Sequence, residues 1–243
     1  MSTAFLAAVF VVAVLSGATA SLVGFGIGSL LTPLVAVELG TATAVAAVAL
    51  PHAAATALRC WRLRRSIDTA VLARFGLLSA AGGLAGALLY TRLGSTGLTR
   101  ILGALLLLTA LAHIGGLARR WHPRGPMVAL LGFGSGLFGG VAGNQGGLRA
   151  AALSAFGLAP AAFVATSTAT GLLVDAARTP IYLWRAGAAL WTLWPLLAIA
   201  TLGVILGTIA GERVLLGLAP DRYARLVAGA IGLLGIWLLF SAR

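Results

Sequence analysis

Gly24-Phe25-Gly26-Ile27-Gly28-Ser29-Leu30-Leu31-Thr32-Pro33 cuts across an apolar stretch near the start of the chain. Gly143-Asn144-Gln145-Gly146-Gly147-Leu148 cuts across another in the second half. The leading glycines stand 119 residues apart in a chain of 243, about half its length. A helix broken inside a bilayer exposes N–H and C=O groups that lipid cannot satisfy. Such breaks persist only where protein or a water-filled site takes over the hydrogen bonds. Two related breaks at corresponding places in two halves are the sequence sign of a transporter's binding site.

The flanking sequence fixes the solvent. Hydrophobic residues make up 60% of the chain and charged residues 9%, and the mean hydropathy is +1.04. A helix crosses the roughly 30 Å hydrocarbon core with about 20 apolar residues. Runs of that kind lie near 4–23, 41–58, 67–91, 98–118, 126–142, 160–177, 187–211 and 223–241, and shorter ones, about 26–38 and 148–158, follow the two breaks. A membrane β-barrel would instead show short segments of alternating polarity. The sequence therefore predicts an all-α integral membrane protein. It has two homologous repeats, each of four full transmembrane helices plus one short broken or re-entrant segment.

Other marks recur at nearly the same offset. Gly17 matches Gly136 and Arg59 matches Arg178 at 119 residues; Gly82, Gly86 and Arg92 match Gly203, Gly207 and Arg213 at 121; Arg100 matches Arg225 at 125. The drift is what small loop insertions after a duplication produce. The predicted organisation is a first membrane repeat over 1–118, a cytoplasmic linker over 119–126 and a second repeat over 127–243. If the short segments cross the membrane, each half has five crossings and the repeats are inverted; if they dip in and return, the halves run parallel. Arg213, Arg222 and Arg225 outnumber Arg178 and Arg185 in the two candidate connections, which favours the inverted arrangement. Gly82-x-x-x-Gly86, Gly136-x-x-x-Gly140 and Gly203-x-x-x-Gly207-x-x-x-Gly211 place glycines on one helical face, where backbones can approach closely.

All 17 basic residues are arginine, and the net charge is +12. That excess invites a nucleic-acid partner, but the charges fall in short connections between apolar runs. The positive-inside rule explains them, and no nucleic-acid partner is predicted. The clusters Arg59, Arg62, Arg64, Arg65 and Arg119, Arg120, Arg124 are separated by two spans, so both face the cytoplasm. Cys60 is the only cysteine, and His52, His113 and His122 form no close pair. No disulfide, metal site or cofactor is predicted. The first twenty residues end in Ala18-Thr19-Ala20 like a secretory signal, but no basic residue precedes the apolar part. The corresponding stretch 127–140 is internal, so residues 4–23 read as a retained span.

Apolar helix, G-x-G-x-G break, short apolar run ending in Pro33, second helix and Arg-rich loop, in that order, resemble the TauE/SafE family. The resemblance covers nearly the whole chain. It implies a multi-pass inner-membrane carrier for sulfite, a sulfonate or a related sulfur-containing anion. The sequence departs from the family pattern at Ser29, where a further glycine is usual, and at Ala152, where a proline is expected. Ala165-Thr166-Ser167-Thr168 keeps the hydroxyl-rich stretch, whereas Ala46-Ala47-Val48-Ala49 has none. These departures leave the fold as it is and bear on the substrate.

Each break starts a short helix, whose free N–H groups and positive dipole end suit an anion. Candidate substrate-binding residues are therefore Gly26, Ile27, Gly28 and Ser29 in the first break and Asn144, Gln145, Gly146 and Gly147 in the second. A tight helix crossing without a ligand would leave the same glycines. Arg149 follows the second break with no acidic neighbour in sequence. A buried Arg must face a polar cavity or partner, and its planar fork suits sulfite or sulfonate oxygens; snorkelling from a shallow segment is the alternative. Thr166, Ser167 and Thr168 could add neutral hydrogen bonds, or bond their own backbone. His52, with Thr56, occupies the matching region of the first half, where helix packing would also account for it. Asp175 sits one turn before Arg178, a spacing for a local ion pair, with proton coupling as the alternative.

Three rival functions are left open: an anion channel, an intramembrane serine protease built on Ser135 in Gly134-Ser135-Gly136, and a purely structural membrane protein. The predicted partners are a small anionic substrate and the lipid bilayer. An oligomer is possible, but nothing in the sequence indicates one.

Overall fold

The computed structural model describes residues 1–24, 26–116, 125–214 and 220–241. Among these it is all helix, without strands. The linker residues Arg119, Arg120, His122 and Arg124 lie outside the described residues, as do the side chains of His113, Arg213, Arg222 and Arg225.

Ten helices follow in order: α1 (Thr3–Val23), α2 (Ile27–Leu39), α3 (Thr41–Leu63), α4 (Thr69–Tyr90, with a π-helical stretch at Leu72–Gly76), α5 (Ser95–Ile114), α6 (Pro126–Ala142), α7 (Gly146–Leu153), α8 (Pro160–Thr192), α9 (Trp194–Val214) and α10 (Pro220–Ser241). Their ends follow local chemistry. Ser2 accepts from Phe5 N–H to cap α1, and the Asp68 side chain accepts from Val71 N–H to cap α4. Proline opens α6, α8 and α10, where its missing N–H costs nothing. Both α1 and α6 stop on a left-handed glycine, Gly24 (φ 81°) and Gly143 (φ 71°), each with its N–H on the carbonyl four residues back. One stop signal thus produces both breaks.

Among the described residues, five helices are long and apolar enough to cross a membrane: Thr3–Ser21, Thr41–Ser66, Thr69–Tyr90, Ser95–Ala112 and Trp194–Gly211. Large apolar side chains such as Leu130, Trp191, Leu233 and Phe240 point outward, as a lipid-facing surface requires.

Two expectations need correction. The span predicted over 160–177 runs on as one 33-residue helix to Thr192, and the next begins at Trp194 rather than near 187. The polar connection predicted at 178–186 is therefore helix interior, and Arg178 is only 1% exposed. Arg59, assigned to a cytoplasmic loop, lies within α3 and is 3% exposed. Arg178 is retained inside because Asp175 and a backbone carbonyl satisfy its guanidinium, a partner set that hydropathy along one segment does not reveal.

Small residues set the packing. Helix α1 lies against α9, and α4 lies against α6. A Cβ on Gly207 would fall 2.0 Å from the Val14 carbonyl oxygen, and one on Gly136 would fall 1.8 Å from that of Ser79. The pairings correspond across the two halves. The first helix of each half packs against the fourth of the other, α3 packs on α8, and α5 packs on α10. The main core gathers Ile27, Leu31, Val45, Ala47, Leu102 and Ile231; Val71, Phe75, Ala152 and Leu153 form a smaller one.

Candidate functional site

The two glycine breaks meet. A Cβ on Gly28 would lie 2.1 Å from the Gly143 carbonyl oxygen, so one break rests directly on the backbone of the other. Ser29 Oγ donates to Asn144 Oδ1 at 3.0 Å across the same contact. Gly26 turns the chain into α2 with φ 139°, a conformation that favours glycine. Neither α2 nor α7 has a side chain capping its first turn. Their leading N–H groups are left for another acceptor, at the positive end of each helix.

Around this contact lies a narrow polar pocket with a cavity volume of about 10 Å³, room for about one water molecule. The first half contributes Ala20, Gly24, Gly26, Ile27, Gly28, Ser29, His52 and Arg59. The second contributes Gly143, Asn144, Gln145, Gly146 and Arg149.

Arg149 is 2% exposed. Its Nε donates to Ser167 Oγ at 3.0 Å and its Nη2 to the Gly24 carbonyl at 3.4 Å, while Nη1 has no partner among the described residues. Gly171 makes room for it, since a Cβ there would stand 3.0 Å from Nη1. Among the described residues no carboxylate pairs with Arg149. Among the described residues, Asn144 Nδ2 and both Nε2 and Oε1 of Gln145 are also buried without partners. Buried polar groups are almost always satisfied. Unfilled donors thus gather on three lining side chains, one of them charged.

Behind the pocket stands a second polar cluster. Arg178 donates to Asp175 Oδ1 through Nε (3.0 Å) and Nη2 (2.8 Å). Asp175 Oδ2 is 2.7 Å from His52 Nδ1, and Thr56 Oγ1 is 3.3 Å from that nitrogen. Arg178 Nη1 reaches the Gly139 carbonyl and Tyr182 OH the Gly140 carbonyl, each at 2.5 Å. Both acceptors belong to the last turn of α6, where the Gly139 carbonyl also takes the Gly143 N–H that closes the helix. The cluster therefore holds the helix end from which the second break departs.

Of the residues predicted from sequence, Gly26, Ile27, Gly28, Ser29, His52, Asn144, Gln145, Gly146 and Arg149 line the pocket. Gly147 faces Thr109 instead. Thr166 Oγ1 accepts from Asp68 N–H at 2.9 Å and so fixes the start of α4. Ser167 reaches the site only through Arg149, and Thr168 is buried away from the lining. Asp175 stands behind His52, in the ion pair with Arg178 that its spacing suggested. Arg59, Gly24, Gly143 and Ala20 were missing from the predicted set. The equal offset of Arg59 and Arg178 was a signal that both sit at corresponding helical positions rather than in loops. Ser135 Oγ donates to the Gln145 carbonyl at 3.3 Å, a contact that steadies the second break. Among the described residues no cluster of three His, Cys, Asp or Glu could hold a metal.

Comparison with protein families matches residues 9–238 to the family described as Sulfite exporter TauE/SafE. The comparisons with curated proteins and with solved structures gave no match.

Proposed function

The chain belongs to the sulfite exporter TauE/SafE family, and from that premise we propose that it carries a small sulfur-containing anion, sulfite or a sulfonate, through the pocket between its two broken helices. The family is one of membrane transporters, and the apolar helices make this a multi-pass membrane protein. The observation that carries the anion reading is Arg149. It is a buried guanidinium with an unfilled N–H and no paired carboxylate, at the uncapped start of α7. An isolated buried charge is costly, and an entering oxyanion would remove that cost while accepting from Asn144 and Gln145.

The inner membrane is the proposed location. The proposed architecture is a pair of inverted repeats over 1–118 and 127–243. The reciprocal packing of α1 on α9 and α6 on α4 supports it, as does the identical glycine stop of both first helices. Alternating access would then rock one set of helices against the other around the touching breaks. With the cell interior negative, outward movement of one net negative charge is favoured by roughly 2.3 kcal/mol per 100 mV.

The test is flux of sulfite, thiosulfate, sulfoacetate and taurine in proteoliposomes at two imposed potentials. Saturable flux of at least one anion is expected, and its response to the imposed potential reports the net charge that moves with it. Flux that rises without saturating would replace the carrier with a channel, and no flux of any of the four would overturn the transport reading.

A further inference from the structure

We propose that His52 binds a proton together with the anion, so that the protein works as a proton–anion cotransporter; this rests on the transport reading above. His52 is a wall residue of the pocket, and its ring nitrogens have unequal surroundings. Nδ1 sits 2.7 Å from Asp175 Oδ2, which fixes it as the N–H donor to that carboxylate. Asp175 in turn is anchored by two contacts from Arg178 to its other oxygen. Nε2 has no protein partner among the described residues. A neutral imidazole offers only a lone pair there, which repels an anion; an imidazolium offers a further donor.

The surrounding charges couple the two events. Helix α8 brings Asp175 and Arg178, α7 brings Arg149, and α3 itself brings Arg59. Helix α2 has only exposed Glu38, and α9 has no titratable group in its described side chains. Among the described side chains, Arg149 and Arg178 stand around the imidazole with the carboxylate of Asp175. In the empty pocket the unpaired Nη1 end of Arg149 opposes a further positive charge on His52. An anion between them removes that opposition and adds attraction. Proton and anion then strengthen each other's binding by the same factor. Asp175 is not the group that titrates, because Arg178 holds it in a buried ion pair; it orients the ring and stabilises the imidazolium. The proton enters from the compartment to which the pocket opens and leaves on the other side with the anion. A monovalent anion then moves without net charge and follows the pH difference. A divalent one keeps a single negative charge and still responds to the potential.

Thiosulfate and methanesulfonate serve as probes, since neither changes charge across the physiological pH range. In proteoliposomes with the potential clamped at zero and an alkaline interior, wild-type protein should accumulate the carried probe about tenfold per unit of pH difference. In His52→Gln, whatever flux persists should bring the probe only to equal concentrations. Because that variant could lose anion binding altogether, wild-type protein in weakly buffered detergent is also titrated with the probe. Uptake of about one proton per anion bound is expected. Wild-type flux that stops at equal concentrations, binding without proton uptake, or undiminished accumulation by His52→Gln would each overturn the proposal. Absence of any downhill movement of either probe or of sulfite would instead remove the transport reading, and the coupling with it.

Discussion

Gly28 and the carbonyl of Gly143 are in direct backbone contact although 115 residues separate them in the chain. No side chain fits between them. The contact joins the start of α2 to the end of α6 and fixes the distance across the pocket. Gly28→Ala would drive a methyl group into that oxygen, and both neighbours are backbone and cannot swing aside. The expected result is a loss of about 1–3 kcal/mol of stability and at least tenfold slower anion flux. Gly187→Ala is the control, since open space surrounds that position. Thermal unfolding in detergent and liposome flux read the two effects.

Arg149→Ala should abolish saturable anion flux while the protein still inserts and purifies. Arg149→Lys should recover little of it. The guanidinium spans Ser167 and the Gly24 carbonyl and still offers an N–H to the pocket. A single ammonium cannot divide itself in that way. Wild-type flux from either variant would remove Arg149 from the binding site.

Gly171→Ala tests the same guanidinium indirectly. The new methyl would press on Nη1, the tip of a flexible side chain, so folding should change little. The misplaced fork should raise the KM for anion by several-fold with a smaller change in maximal rate. An unchanged KM would mean that Nη1 does not meet the substrate.

Gly136→Ala and Gly207→Ala should be damaging to a similar degree, because each forces a Cβ into the backbone of a helix from the other half. A loss of about 1–3 kcal/mol or more is expected for each. Unfolding of the two variants side by side, with Gly229→Ala as the open control, measures it. A tolerant Gly207 beside an intolerant Gly136 would argue against equivalent packing in the two halves.

Asp175→Ala should lower stability by about 3–5 kcal/mol, because it leaves Arg178 charged and buried. Replacing both, as Asp175→Ala with Arg178→Met, should recover part of the loss. Recovery should stay incomplete, since Arg178 also serves the Gly139 carbonyl. Unfolding of the single and double variants in one detergent decides it.

The helices were legible because their cause is local. Apolar runs, proline starts and the glycine stops at Gly24 and Gly143 act within a few residues, so the segments stand close to where the sequence put them, the junction of α8 and α9 excepted. The G-x-x-x-G faces were legible for the same reason. The site was legible only where the breaks themselves form it. Thr166 and Ser167 are neighbours of the same type in sequence, yet one caps α4 through Asp68 and the other positions Arg149. Only the facing helix distinguishes them. Arg59 and Arg178 looked like loop charges because hydropathy treats every arginine as a boundary.

By itself, then, the sequence determined that this chain lies in lipid, where it is helical, and where two helices must stop. Those outcomes depend on backbone hydrogen bonds and side-chain volume within a turn or two. Tertiary structure alone decided which charges could stay inside. His52 meets Asp175 across 123 residues, and Arg149 reaches a carbonyl 125 residues away. A buried ion is retained only when partners converge on it in space, and that convergence comes from helices packing on one another.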